Sequence, residues 1–109
     1  MAANYKVLGQ SNPSATTATT LYTVPASTQT VVSTIAVCNQ AASAGTYRIA
    51  IRPAGAALTA SQYIAYDSAI TANNTTFITI GVTLNTTDII TVYASSATMS
   101  FSAFGSELS

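Results

Sequence analysis

The sequence predicts an all-β protein: a single antiparallel β-sandwich of about seven to nine short strands, with a jelly-roll or immunoglobulin-like topology. Short runs rich in Val, Ile, Thr and Tyr recur at intervals of about 8 to 12 residues, which is the spacing of a sandwich. Turn residues such as Pro, Gly and Asn separate these runs, and no helical pattern of useful length is present. The 109 residues suffice for one domain with its own core.

Residues 1–17 are predicted to be an N-terminal strand or arm, and residues 18–109 the body of the sandwich. Residues 4–10 alternate Tyr and Val against Lys and Leu, a pattern typical of an edge strand. An Asn-Pro pair and small polar residues follow, and the whole segment is poor in core residues. It could therefore also lie as an arm on a neighbouring subunit.

Residues 20–39 are the stretch around which we expect the sandwich to be organised. They contain a short strand that ends at Pro25, which cannot donate to a ladder, and then one long strand. The long strand is apolar on both faces, as in a strand covered on both sides at the centre of a sheet. One face carries Val31, Ile35 and Val37, and the other carries Val32, Ala36 and Cys38. The lone Cys38 can form no internal disulfide, and we expect it to be inert packing.

Three more strands are predicted in the middle of the chain. In residues 46–53, apolar side chains alternate with Ala and Arg. One side of this strand is therefore expected to face the core and the other to face solvent or a partner. Residues 62–67 form a short strand, and residues 75–84 form a longer one. Gly81 inside the longer strand predicts a bulge or a kink there.

Two C-terminal strands complete the prediction, at residues 89–94 and 98–104. We expect a turn at residues 69–74 and a tail at residues 105–109. The side chains expected in the core are Leu21, Tyr22, Val31, Ile35, Val37, Ile49, Ile51, Ile78, Ile80, Ile90, Val92 and Phe101.

The chain carries very little charge for a soluble domain. Charged residues make up 6% of the sequence, against about 25% in typical globular domains, and the formal net charge is zero. Ser, Thr and Ala stand at strand positions where Lys and Glu would usually face solvent. These short side chains lose little rotamer entropy on burial, so such a surface orders at low cost against a partner. We therefore expect a homo-oligomer, with a trimer favoured.

Lys6, Arg48 and Arg52 are the candidate interface residues, because they are the only cationic side chains in the sequence. Arg48 and Arg52 share one strand face about 13 Å apart. They either form an exposed pair that keeps the strand soluble or reach carboxylates on an adjoining subunit. Three cations are too few to bind duplex nucleic acid usefully, and no apolar run approaches the roughly 20 residues of a membrane span. Neither nucleic acid nor membrane is an expected partner.

Catalysis and cofactor binding are not expected. The chain has no His and one Cys, which excludes His/Cys metal sites and Ser-His or Cys-His catalysis. The three carboxylates, on Asp67, Asp88 and Glu107, are too few to predict a catalytic pair or a metal site. No glycine-rich phosphate loop is present. Five tyrosines either line a sugar-binding face or, as we expect, pack at the edges of the core: Tyr22, Tyr47, Tyr63, Tyr66 and Tyr93.

Five stretches carry a recognisable pattern: LYTVPASTQTVVSTIAVCN, YRIAIRPAG, QYIAYD, TLNTTDIITVYAS and FSAFGSEL. Together they resemble a family of small virion structural proteins of tailed bacteriophages, many of them marine or cyanobacterial. The resemblance extends over residues 5–108, and its most specific part is LYTVP at residues 21–25 with the Cys-Asn pair at residues 38–39. It implies an antiparallel β-sandwich without enzymatic activity, present in many copies on the particle.

The expected function is that of a capsid decoration or cement protein, which binds between capsid subunits and stabilises the shell by mass action. The alternative is a neck, collar, tail or baseplate accessory protein of the same virion, and a remoter one is a carbohydrate-binding module. The expected partners are other virion proteins, either the major capsid protein or neck and tail proteins. We expect the protein to be made in the host cytoplasm, because residues 1–10 lack the h-region of a signal peptide, and then to reside in the virion.

Overall fold

Eight strands and two short 3-10 turns make up the protein in the computed structural model, which describes residues 3–109. The strands are β1 (Ala3–Ser11), β2 (Thr19–Thr23), β3 (Gln29–Asn39), β4 (Gly45–Arg52), β5 (Tyr63–Ile70), β6 (Thr75–Leu84), β7 (Ile89–Ala94) and β8 (Met99–Leu108). The 3-10 turns, Pro53–Gly55 and Ala60–Gln62, lie between β4 and β5.

The strands form two four-stranded sheets that pack face to face. The first sheet has the order β1-β8-β3-β6, and the second has the order β2-β7-β4-β5. Antiparallel pairs join β1 to β8, β2 to β7, β3 to β6 and β4 to β5, so the chain is a long hairpin rolled up on itself. This nesting is the topology of an eight-stranded jelly roll. It confirms the predicted antiparallel sandwich and selects the jelly roll over the immunoglobulin-like alternative.

Alternating side chains from both sheets fill the space between them. Phe101 of β8 meets Tyr47 of β4 edge to face, with ring centroids 6.3 Å apart, so an aromatic contact joins the two sheets. Most of the predicted core side chains are buried: Leu21, Tyr22, Ile35, Val37, Ile49, Ile90, Val92 and Phe101. Ile51 and Ile78 are partly buried against this cluster.

The expectation that Val31 and Ile80 belong to the core is wrong, because they are 45% and 40% exposed. In β3 the register against β8 shifts between Val32 and Thr34, which makes Ser33 an extra residue. This bulge reverses the alternation along β3, so Val32 takes the inward position in place of Val31. The outer side of β3 is not covered by the chain, so β3 is an inner strand of its sheet but is buried on one face only.

The bulge predicted at Gly81 is confirmed. Gly81 has a φ of 58°, in the left-handed region that glycine adopts without a steric penalty. Ile80 and Gly81 together lie opposite the single residue Ser33, and Ile80 is turned out of the core as a result. Leu8 of β1 is a further extra residue against β8. Irregular pairing therefore runs across the first sheet from β1 to β6.

Strand β8 is longer than predicted and ends at Leu108, where the sequence led us to expect a tail at residues 105–109. Its last residues pair on one side with β1 and on the other with β3. Gly105 permits this close approach, because a Cβ atom at that position would overlap the carbonyl group of Val31.

Strand β5 is also longer than predicted. β5 continues to Ile70, which is buried, so the turn expected at residues 69–74 starts after it.

The edge strand expected at residues 4–10 is confirmed by pairing between β1 and β8. Residues 3–11 are therefore committed to this sandwich and do not form an arm on a neighbour. The prediction also covered residues 12–17, where the Thr16 N–H donates to the Ala94 carbonyl of the same chain at 2.8 Å, and residues 1 and 2, which lie outside the described residues.

Candidate interaction surface

The outer face of the first sheet, turned away from the second sheet, is the candidate interaction surface. Its side chains alternate along the four strands with those that point into the core. None of the six charged residues of the sequence is among them. We call this surface the uncharged face; it includes Tyr5, Val7 and Gln10 of β1, Ser100, Ser102, Phe104 and Ser106 of β8, Val31, Thr34, Ala36 and Cys38 of β3, and Thr75, Phe77, Thr79 and Thr83 of β6.

Large apolar side chains are exposed on the uncharged face. Tyr5 is 83% exposed and Phe77 is 68% exposed, while Val7 and Val31 are each about half exposed. Burying such side chains against a partner contributes a favourable free energy of about 25 cal/mol for each Å² of apolar area removed from water. A sheet face that exposes several of them without any charge is typical of a surface that binds another protein.

A shallow groove of about 660 Å³ crosses the uncharged face beside Val31. Tyr5, Val7 and Phe104 supply its apolar sides. Lys6 also borders the groove, but its ammonium lies 2.8 Å from the carboxylate of Glu107. The groove can therefore accommodate uncharged side chains of a partner, because the nearest charge is already neutralised within the chain.

Lys6 and Glu107 belong to a polar network between the two sheets. The Tyr22 hydroxyl donates to Glu107 and accepts from the Thr30 hydroxyl, which is 2.8 Å away. The Lys6 ammonium, and after it the Tyr22 hydroxyl, hold the pKa of Glu107 below its ordinary value. Burial, and then the hydrogen bond to Glu107, raise the pKa of Tyr22 to about 12. The network thus connects β1, β2, β3 and β8, and it keeps one carboxylate ionised inside the sandwich.

Arg48 lies on the outer face of the second sheet and is held by its own chain. Its guanidinium carbon is 4.2 Å from the ring centroids of both Tyr66 and Tyr93, and its Nε donates to Asp67 Oδ1 at 2.6 Å. A bulge in β5, where Asp67 has a φ of 50°, brings Tyr66 and Asp67 together beside Arg48. The hydrogen bond from Arg48 lowers the pKa of Asp67. These contacts within the chain fix the position of the Arg48 side chain.

Arg52 and Asp88 hold loops. Arg52 donates to the carbonyl oxygens of Ala56 at 2.7 Å and Gly55 at 3.1 Å, so it closes the turn that follows β4. Asp88 accepts from the backbone N–H of Ala54 and of Asn85, each at 2.8 Å. The proposed contact of Arg48 and Arg52 with an adjoining subunit stays a prediction, as does any interface role of Lys6, and each of the three has an intramolecular partner.

The five tyrosines expected to pack at the edges of the core do not lie together on one flat face. Tyr22 and Tyr47 are buried, and Tyr66 and Tyr93 enclose Arg48. Tyr63 meets Tyr66 edge to face at an interplanar angle of 83°. Among residues 3–109, no group of three or more Asp, Glu, Cys or His side chains could hold a metal ion. The three carboxylates each belong to a different network.

The sequence did not identify Tyr5 and Phe77 as surface residues that matter, although both stand out on the uncharged face. Phe77 alternates with Ile78 in β6. If Ile78 is assigned to the core, the alternation of side chains along a strand turns Phe77 outward, so its position could have been predicted. Cys38, expected to be inert packing, is half-buried on this same face, between Ser100 and Thr75 of the flanking strands.

Comparisons with known proteins give no relative from which a role could be transferred. No protein-family model matches the chain, and neither a curated protein nor a solved structure matches it. Within the described part of the chain, no helix has the length and apolar character needed to cross a membrane.

Proposed function

We propose that this protein is a non-enzymatic structural component of a bacteriophage virion, and that it decorates the capsid as a cement protein. The observation that carries the proposal is the uncharged face, on which Tyr5, Val7, Val31 and Phe77 are exposed and no charged side chain is present. The resemblance of the sequence to small phage virion proteins supports the same role. The jelly roll suits it as a rigid platform, because both of its sheets share one core.

The dimensions of the uncharged face fit a specific protein interface. Four strands about 4.8 Å apart and roughly nine residues long give a surface of about 19 by 30 Å, or about 600 Å². A standard protein interface buries about 800 Å² on each partner. Contacts from the neighbouring loops would supply the difference.

The mechanism of a cement protein is mass action. A protein that binds only the assembled shell stabilises that shell by RT ln(1 + [L]/Kd) for each site. Because the uncharged face carries no charged side chain, its binding should depend little on salt. This requires no covalent chemistry, which agrees with the absence of a catalytic constellation in the sequence.

Binding of purified protein to phage shells that lack it tests the proposal. Val31→Lys places a charge in the middle of the uncharged face and should weaken co-sedimentation with the shells at least tenfold, because burying an unpaired ammonium is costly. The matched control is Ile64→Lys in β5 of the second sheet, since Ile64 is exposed to nearly the same degree as Val31. Equal losses for the two variants, or no binding of the wild type, would overturn the proposal. Binding confined to necks or tails would support the accessory-protein alternative instead.

A further inference from the structure

Strand β6 ends the first sheet and leaves a row of backbone groups without a partner strand. The Asn39 N–H donates to the Asn74 carbonyl at 2.8 Å, just before β6 begins. In an antiparallel ladder the hydrogen-bonded pairs alternate, so residues 76 and 78 direct their N–H and C=O groups to β3. Thr75, Phe77 and Thr79 therefore direct theirs to the free edge.

The other edge strands of the protein are protected in ways that residues 75–79 of β6 are not. β1 carries Lys6 and a bulge at Leu8, and β5 is distorted at Asp67, where φ is 50°. β2 has only five residues and is followed shortly by Pro25. Charges, bulges, short strands and prolines are the devices that keep edges from pairing with another chain. Residues 75–79 have none of them, since the bulge of β6 comes after this stretch.

We propose that residues 75–79 of β6 pair antiparallel with the same residues of a second copy, about a two-fold axis at Phe77. In this register Thr75 lies opposite Thr79 of the second copy, and Phe77 lies opposite Phe77. All three pairs are of the hydrogen-bonded type, which makes six backbone hydrogen bonds between the copies. The two Phe77 rings meet on the uncharged face, where each is otherwise 68% exposed.

A second copy fits this edge because the edge carries no charge. A two-fold contact places every side chain near its own counterpart, so any charge at its centre would repel itself. No charged residue occurs between Asp67 and Asp88, a stretch that includes all of β6. A heterologous strand would need no such neutrality, whereas self-pairing requires it.

The dimer would extend the uncharged face into one continuous sheet of eight strands. The pairing uses the strand edge and leaves most of that face free, so the inference does not rest on the virion role. This two-fold dimer is an alternative to the expected trimer, which stays a prediction. A contact of five residues on each side is far smaller than a standard interface. We therefore expect a weak dimer, with a dissociation constant in the micromolar range or higher.

Cysteine cross-linking in a Cys38→Ser background tests the register. Thr75→Cys and Thr79→Cys chains, when mixed and oxidised, should form a disulfide-linked heterodimer, because a hydrogen-bonded pair has Cα atoms about 5.5 Å apart. Either chain alone should cross-link much less, since Thr75 is about 14 Å from Thr75 of the second copy. Phe77→Cys should cross-link with itself. Self-linking of Thr75→Cys as efficient as its linking to Thr79→Cys would overturn the proposal.

Sedimentation equilibrium provides a readout that needs no cysteine. The wild type at several hundred micromolar should contain dimer, and Phe77→Lys should shift it to monomer by placing two like charges together at the axis. The matched control is Tyr5→Lys, on the same face but on the opposite edge of the sheet. It should dimerise as the wild type does. A monomeric wild type, or equal losses in the two variants, would contradict the pairing.

Discussion

The charged residues of this protein act as internal connections. Glu107 joins β8 to β1 through Lys6 and to the second sheet through Tyr22. Arg48 is enclosed by two tyrosine rings and bonded to Asp67. Because every charge is engaged in this way, the first sheet is left with a surface of hydroxyl, methyl and aromatic groups.

Replacing Glu107 with Gln should lower the free energy of unfolding by about 1 to 3 kcal/mol at neutral pH, because two charge-assisted hydrogen bonds are weakened. The pKa of Glu107 is lowered in the folded chain. Its contribution is therefore present above its unfolded pKa of about 4.3 and is lost as the pH falls through the folded pKa. Glu107→Gln should lose less stability than the wild type on acidification, as measured by urea denaturation at each pH.

Two further variants assign this acid dependence to Glu107. Lys6→Met should move the loss of stability to higher pH, since Lys6 is the main cause of the lowered pKa of Glu107. Asp67→Asn removes a different carboxylate with a lowered pKa and should leave the contribution of Glu107 in place. Superimposable acid transitions for the wild type and Glu107→Gln would mean that the ionised Glu107 does not contribute to the stability of the fold.

The sequence identified these charged residues but not their partners. Lys6 and Glu107 lie at opposite ends of the chain, and no local pattern relates them before the jelly-roll topology is known. The pairing of Arg48 with Asp67 could not be predicted either. The bulge in β5 brings these two residues together, and no glycine in the sequence of β5 indicates that bulge. Pairing between distant residues depends on register, which single-sequence periodicity does not specify.

At the scale of the elements, bulges decide which side chains face outward. Gly81 marks its bulge in the sequence, so the irregularity in β6 could be predicted. Ser33 gives no such sign of the bulge in β3. A regular alternation of side chains along β3 therefore predicted Val31 in the core, where the structure has Val32. The strands themselves were predictable from their β-branched and aromatic runs, whereas their exact faces were not.

Deleting residues 105–109 should destabilise the fold by several kcal/mol and lower Tm by at least about 10 °C, because this end of β8 is paired on both sides. The control is deletion of Ser109 alone, which lies beyond β8 and should leave Tm nearly unchanged. Thermal unfolding followed by circular dichroism measures both. Similar Tm values for the two deletions would mean that residues 105–109 are the tail that the sequence first indicated.

At the scale of the whole molecule, the jelly roll separates two kinds of surface. The outer face of the second sheet carries Arg48, Arg52 and the tyrosines around them, while the outer face of the first sheet carries no charge. The low charge of the sequence predicted an interface somewhere on the protein. The position of the uncharged face could not be predicted, because it depends on which residues the bulges turn outward and on which strands share a sheet.

We propose that the uncharged face is the surface buried in the virion. The most direct test is the position and orientation of the chain in an electron cryo-microscopy reconstruction of the intact phage particle. We expect many copies on the capsid, with Val31 and the groove beside it packed against capsid protein and the Arg48 side turned to solvent. A chain bound through the second sheet, with the uncharged face open to solvent, would contradict this proposal.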